Sequence, residues 1–122
     1  MNDSFYRDEI LSHYHAPRNY GLRSGFDIEA RGSNPLCGDS VTVMLKTKNG
    51  VVADACFESK GCVISRASAS MFLEHIKGKP LDSVRSAGPA DVTKLLGVAV
   101  MPARVKCATL VLDVLQTAGA LS

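Results

Sequence analysis

The chain has no tryptophan, and three tyrosines and four phenylalanines are its whole aromatic complement. So few rings give no basic–aromatic stripe, and a net charge of +2 is far from the cationic balance of a nucleic-acid binder. Nucleic acid is set aside as a ligand. Long apolar runs are missing as well. The opening MNDSFYRDEILSHYHAP places acids among its apolar residues, so neither a secretory leader nor a membrane span is expected there. The expected compartment is the cytoplasm, where thiols stay reduced. The four cysteines therefore read as ligands, nucleophiles or core residues before disulfides. With no repeat, low-complexity tract or linker, residues 1–122 are expected to form a single domain.

What is present is an ordinary globular balance, 46% apolar and 21% charged, with enough chain for a core. Asp3 or Ser4 can cap a first helix running to about Ala16 and stopped by Pro17. PRNYGLRSG reads as loop. FDIEARG is a short strand, with Phe26, Ile28 and Ala30 on one face. In SVTVMLK, Val41, Val43 and Leu45 alternate with polar positions, and in the next strand Val51, Ala53, Ala55 and Phe57 do the same.

Asn49-Gly50 suggests a two-residue hairpin turn, but that register sets Val43 across from Cys56 and Val41 across from Glu58. A three-residue loop, Lys48-Asn49-Gly50, restores an apolar face by pairing Val41 with Phe57 and Leu45 with Ala53. Continued to the open end, this register sets Cys37 opposite Gly61 and beside Cys62. Cys56 falls on the other face and reads as packing.

Beyond Gly61 the period becomes helical through CVISRASASMFLEHIKG, closed by Gly78 and Pro80. Ala67, Ser68, Ala69 and Ser70 allow close backbone packing. Short helices are expected in PLDSVRSA and PADVTKLLG, and a last one from near Pro102 to Gly119. In that helix Lys106, Thr109, Asp113, Gln116 and Thr117 form a solvent stripe, and Cys107 lies with Val111, Val114 and Ala118 on the inner side. Arg104 projects inward with Cys107, where a thiolate or carboxylate would satisfy it, unless it snorkels to water.

Three cysteines carry the chemistry. Cys62 opens a helix, where free N–H groups favour a negative sulfur. Cys37 sits in a turn shaped by Pro35 and Gly38, and Asp39 can address the same centre, or serve simply as a turn former. Cys107 can be a ligand or plain packing. Three thiolates and a carboxylate make a set that zinc accepts, and sulfur-rich sites also take iron–sulfur clusters. His13, His15 and His75 read as surface or helix-face residues, which leaves a Cys–His hydrolase with little to stand on.

NPLCGDS, GCVISRASASM and PARVKCATL closely resemble the three signature segments of the U-type iron–sulfur cluster assembly proteins: IscU, SufU and the N-terminal domain of NifU. HYHAPRNYG is similar to the end of their first helix. The resemblance spans nearly the whole chain. It implies an α+β fold: a three-stranded antiparallel sheet, helices packed on one face, and the cysteines gathered at one end. It implies Cys37, Cys62 and Cys107 as site cysteines with Asp39 as the associated carboxylate. In that family these residues accept persulfide sulfur from a pyridoxal-phosphate cysteine desulfurase and hold a nascent cluster or a zinc ion.

Two features separate the branches. Lys106 stands where IscU proteins have a histidine before the last cysteine, and PARVKCATL looks like SufU. The stretch from Cys62 to Cys107 nevertheless has about the IscU length, without the SufU insertion.

The leading expectation is a scaffold, not an enzyme, that builds a [2Fe–2S] cluster on three cysteines and Asp39 and passes it to apo iron–sulfur proteins. Cys37 is expected to receive sulfur first, with Cys107 as the alternative acceptor and Arg104 stabilising the charged sulfur. The second expectation is a zinc-dependent sulfurtransferase that relays sulfur without a cluster. The third is a small structural zinc module. The chain is expected to act as a monomer or weak homo-oligomer.

Overall fold

The structure is a computed structural model and describes residues 3–35, 38–97, 100 and 102–117. Helix α1 spans Asp3–His15, followed by strands β1 (Ile28–Asn34), β2 (Asp39–Lys48) and β3 (Val51–Lys60). Helices α2 (Val63–Ile76), α3 (Leu81–Ser86), α4 (Pro89–Leu96) and α5 (Pro102–Thr117) complete the order. The strands form one antiparallel sheet in the order β1-β2-β3. Among the described residues no helix is long and apolar enough to cross a membrane.

Period-two burial builds the core face of the sheet. Val41, Val43 and Leu45 of β2 are buried with Ala55 and Phe57 of β3. Phe72, Leu73 and Ile76 of α2 and Val111, Leu112 and Leu115 of α5 close over them in one cluster. Burial of large apolar side chains stabilises such a layer by roughly 1.5–3 kcal/mol each. Helix α5 crosses β1 so closely that a β-carbon at Gly32 would lie 2.8 Å from Val114 Cγ2, which makes glycine necessary there. A second cluster, Ile10, Ala67, Leu96 and Ala108, ties α1, α2, α4 and α5 together. The small residues Ala67 to Ser70 are all buried, as close packing requires.

The hairpin differs from its expected register. Asn49 and Gly50 both have positive φ, 54° and 76°, and Lys48 pairs with Val51, so the turn is the two-residue type after all. Parity is restored one step later. Thr47 pairs with Val52 and Lys46 with Asp54, which leaves Ala53 as an extra residue, exposed, while Val52 is buried. Beyond this bulge Leu45 faces Ala55, Val43 faces Phe57 and Val41 faces Ser59. The apolar face survives, but its partners move by two residues, so Asp39 rather than Cys37 comes to the position across from Gly61.

The outer edge of β3 is covered. Gly21 N–H donates to Phe57 O and Phe57 N–H to Asn19 O, while at the other end Val52 N–H donates to Lys79 O and Gly78 N–H to Val52 O. Both sets of bonds protect an otherwise open strand edge. The rings of Tyr20 and Phe57 meet edge to face at 5.2 Å. Cys56 is fully buried and lies on the face opposite Phe57, outside the group formed by Cys62 and Cys107.

Two further expectations are corrected. Thr109 is buried rather than part of the solvent stripe; its hydroxyl donates to Val105 O at 3.0 Å, so burial leaves it satisfied. His13 is buried too, 8% exposed, with Nδ1 2.7 Å from Ser70 Oγ.

Candidate metal centre

At the end of the sheet three elements meet: the start of β2, the start of α2 and the first turns of α5. Asp39 opens β2, pairs with Asn34 of β1 and is fully buried. Cys62 is the N-cap of α2, with extended backbone (φ −78°, ψ 167°), and is half-buried. Cys107, one and a half turns into α5, is fully buried. One ligand atom from each of Asp39, Cys62 and Cys107 lies within 4.8 Å of the other two.

The carboxylate is held as well as placed. Its Oδ1 accepts the backbone N–H of Cys62 at 2.8 Å, and Cys62 Sγ stands 3.6 Å from Oδ2. An N-cap cysteine with no side-chain cap bond leaves the first-turn N–H groups of α2 facing this end of the sheet, where they favour negative charge. Gly61 makes the approach possible. A β-carbon there would lie 1.9 Å from Asp39 Oδ1, and its φ of +132° is a conformation that side chains disfavour. The sequence marked Gly61 as the junction of strand and helix. Its role as the seat of the carboxylate comes from the register.

Arg104 is exposed rather than turned into the protein, so no burial cost arises. From solvent it reaches back to the thiols. A hydrogen bond with Cys107 is the main cause that raises its pKa above the ordinary guanidinium value, followed by the charges of Cys62 and Cys107. Cys37 lies outside the described residues. The turn around it closes with a bond from Gly38 N–H to Asn34 O at 2.9 Å, and Gly38 is left-handed at φ +72°.

This donor set fits a thiophilic metal. Two sulfurs and one carboxylate oxygen, brought together by three separate elements, form part of a shell of the kind zinc or iron takes. A hard cation such as magnesium would prefer all-oxygen ligands.

Comparison with known proteins gives consistent matches. The family described as NifU-like N terminal domain matches residues 5–120. The zinc-dependent sulfurtransferase SufU of Bacillus subtilis is 38% identical over 125 aligned positions, covering 88% of this chain and 84% of that protein. The iron–sulfur cluster assembly scaffold protein IscU of Thermotoga maritima is 36% identical over 129 positions, covering 93% and 91%. Among solved structures, the N-terminal NifU-like protein of Brucella abortus superposes with a TM-score of 0.74 at 27% identity, covering 94% of this chain and 92% of that one. A SufU protein of Fervidobacterium islandicum superposes at 0.77 over the full length of both chains; at 24% identity this speaks for the fold alone.

Proposed function

The chain belongs to the family of NifU-like N-terminal domains, and from that premise we propose that it is a sulfur-accepting scaffold for iron–sulfur cluster assembly. It takes sulfur from the persulfide of a cysteine desulfurase, builds a [2Fe–2S] unit from it with iron and an external electron donor that reduces the sulfane sulfur to sulfide, and hands the unit to apo iron–sulfur proteins. The observation that carries this reading is the convergence of Asp39, Cys62 and Cys107 at one end of the sheet, next to the turn that holds Cys37. Cys37 supplies the third thiolate.

In the sulfur step a thiolate of this chain, Cys37 first, attacks the outer sulfur of the donor's persulfide. One S–S bond forms, the donor's S–S bond breaks, and the donor cysteine leaves as thiolate. Arg104, already bonded to Cys107, stands where it can balance negative charge on a thiolate or persulfide. The carboxylate is a harder and more exchangeable ligand than sulfur. One such ligand among three thiolates gives a scaffold a corner through which its cargo can leave.

A second reading, a zinc-dependent sulfurtransferase, is favoured by Lys106, which stands where a histidine would otherwise neighbour the last cysteine, and by the similarity to SufU of Bacillus subtilis. On that reading Asp39, Cys62 and Cys107, with Cys37, hold zinc, which supplies a centre that keeps thiolates deprotonated and ordered. Anaerobic incubation with iron, cysteine and a desulfurase separates the two. A visible sulfide-to-iron charge-transfer spectrum, with stoichiometric iron, supports the scaffold. Retained zinc, a colourless protein and faster desulfurase turnover support the sulfurtransferase, and no effect on the desulfurase would sink both.

A further inference from the structure

Ser59 Oγ is a buried side-chain polar atom with no hydrogen-bond partner among the described residues, and the residue is 8% exposed. A buried hydroxyl left without a partner is costly, and native interiors keep few of them. Its place in the sheet gives the reason. Val43 pairs with Phe57 and Val41 with Ser59, so Ser59 points to the core face with those residues. The next position on that side, just past the end of β3, is Gly61, over which the Asp39 carboxylate lies. Ser59 is therefore two residues from the seat of the carboxylate, on the same face of the sheet.

We propose that Ser59 is a positioning residue for the loaded centre: its hydroxyl donates a hydrogen bond to a ligand sulfur once a metal or cluster occupies the site. The inference rests on the metal-site reading above. Among the described residues nothing accepts from the hydroxyl; in the loaded centre a metal-bound sulfur, rich in lone pairs and fixed in place, accepts from it. Hydrogen bonds of this outer kind commonly set metal affinity and the electronics of thiolate ligands. The same bond favours loading, because it supplies an acceptor that no described residue offers the hydroxyl. The neighbouring Tyr20 hydroxyl does not serve instead, because it already donates to the carbonyl of Ser59 at 3.3 Å.

The test uses the full chain with zinc alone, then cobalt(II) alone as a spectroscopic substitute. Ser59→Ala is expected to leave the thermal stability of the apo protein equal to wild type or higher, since it removes an unsatisfied group. The same variant is expected to bind zinc about tenfold more weakly in a chelator competition, about 1.4 kcal/mol. The thiolate-to-cobalt charge-transfer band should move to lower energy, because a thiolate without its hydrogen bond is easier to oxidise. Ser59→Thr, which keeps the hydroxyl, should restore both affinity and band position. Equal zinc affinity and an unmoved band in Ser59→Ala overturn the proposal, as does apo Ser59→Ala less stable than wild type. A wild-type chain that takes no zinc or cobalt defeats the metal-site reading itself, and this inference with it.

Discussion

The carboxylate of Asp39 fills the space above Gly61 in which any other residue would carry its β-carbon, at 1.9 Å from Oδ1. Sheet and candidate ligand set are thus coupled at one backbone position. The bulge at Ala53 fixes which residue of β2 arrives there, and the absent side chain lets its carboxylate turn towards Cys62.

Gly61→Ala tests that coupling. The methyl group must displace the carboxylate, and φ of +132° adds backbone strain of roughly 1–2 kcal/mol. The bond from Cys62 N–H to Oδ1 is lost with it. The expected outcome is a folded protein with a lower melting temperature and a disproportionate loss of zinc affinity, measured by chelator competition. A variant that is destabilised but binds zinc as tightly as wild type would show that the carboxylate is not a ligand.

Asp39→Ala removes the carboxylate without disturbing Gly61. The Cys62 N–H loses its acceptor, at a cost of about 1–3 kcal/mol to the apo protein. Without its one exchangeable ligand, a cluster built on the remaining thiolates leaves more slowly. Transfer to an apo-ferredoxin, followed by its circular dichroism, is expected to slow several-fold, and unchanged transfer kinetics would count against the role.

The pH dependence of stability has an identifiable contributor in His13. Burial, and then the charge of Arg18, lowers its pKa below the ordinary 6.5. Ser70 Oγ accepts from Arg18 N–H at 2.9 Å and can donate its own hydrogen to His13 Nδ1, which suits the neutral ring. A group whose folded pKa is depressed is protonated more readily in the unfolded chain. Its contribution is therefore complete above pH 6.5 and is lost as pH falls from there through the folded value. Urea unfolding between pH 8 and 5 should show this decline. Ser70→Ala, which strips both groups of their partner, should cost about 1–3 kcal/mol at pH 7.

Much of this architecture is legible in the residues. Gly and Pro punctuate the helices, so α2, α3, α4 and the start of α5 fall where Gly61, Pro80, Pro89 and Pro102 place them. The alternation in β2 gives its buried face directly. The hairpin was less open to reading. Asn49-Gly50 is a strong turn signal, and the parity of Val43 and Phe57 truly demands one extra residue. Nothing in Val51 to Ala55 marks which apolar residue is expelled, because Val52, Ala53 and Ala55 are all acceptable on a half-buried face. That ambiguity exchanged Asp39 for Cys37 across from Gly61. Thr109 and His13 escaped for a different reason: their burial depends on single partners, Val105 O and Ser70 Oγ, which periodicity does not encode.

Arg104 separates a charge role from a structural one. The residue is exposed, so its removal should leave the melting temperature of the apo protein unchanged. Its hydrogen bond with Cys107 and the charges of both thiols tie it, on the proposed function, to the sulfur chemistry instead. Arg104→Gln is expected to slow persulfide accumulation on this chain by about tenfold in a desulfurase assay read by mass spectrometry. Arg104→Lys keeps the charge but loses the planar fork, and should fall between the two. The site of the persulfide matters as much as the rate. Cys37→Ser should abolish it if Cys37 is the first acceptor, whereas a persulfide retained in Cys37→Ser and lost in Cys107→Ser transfers that role to Cys107. In that case Arg104, the immediate partner of Cys107, should show its largest effect.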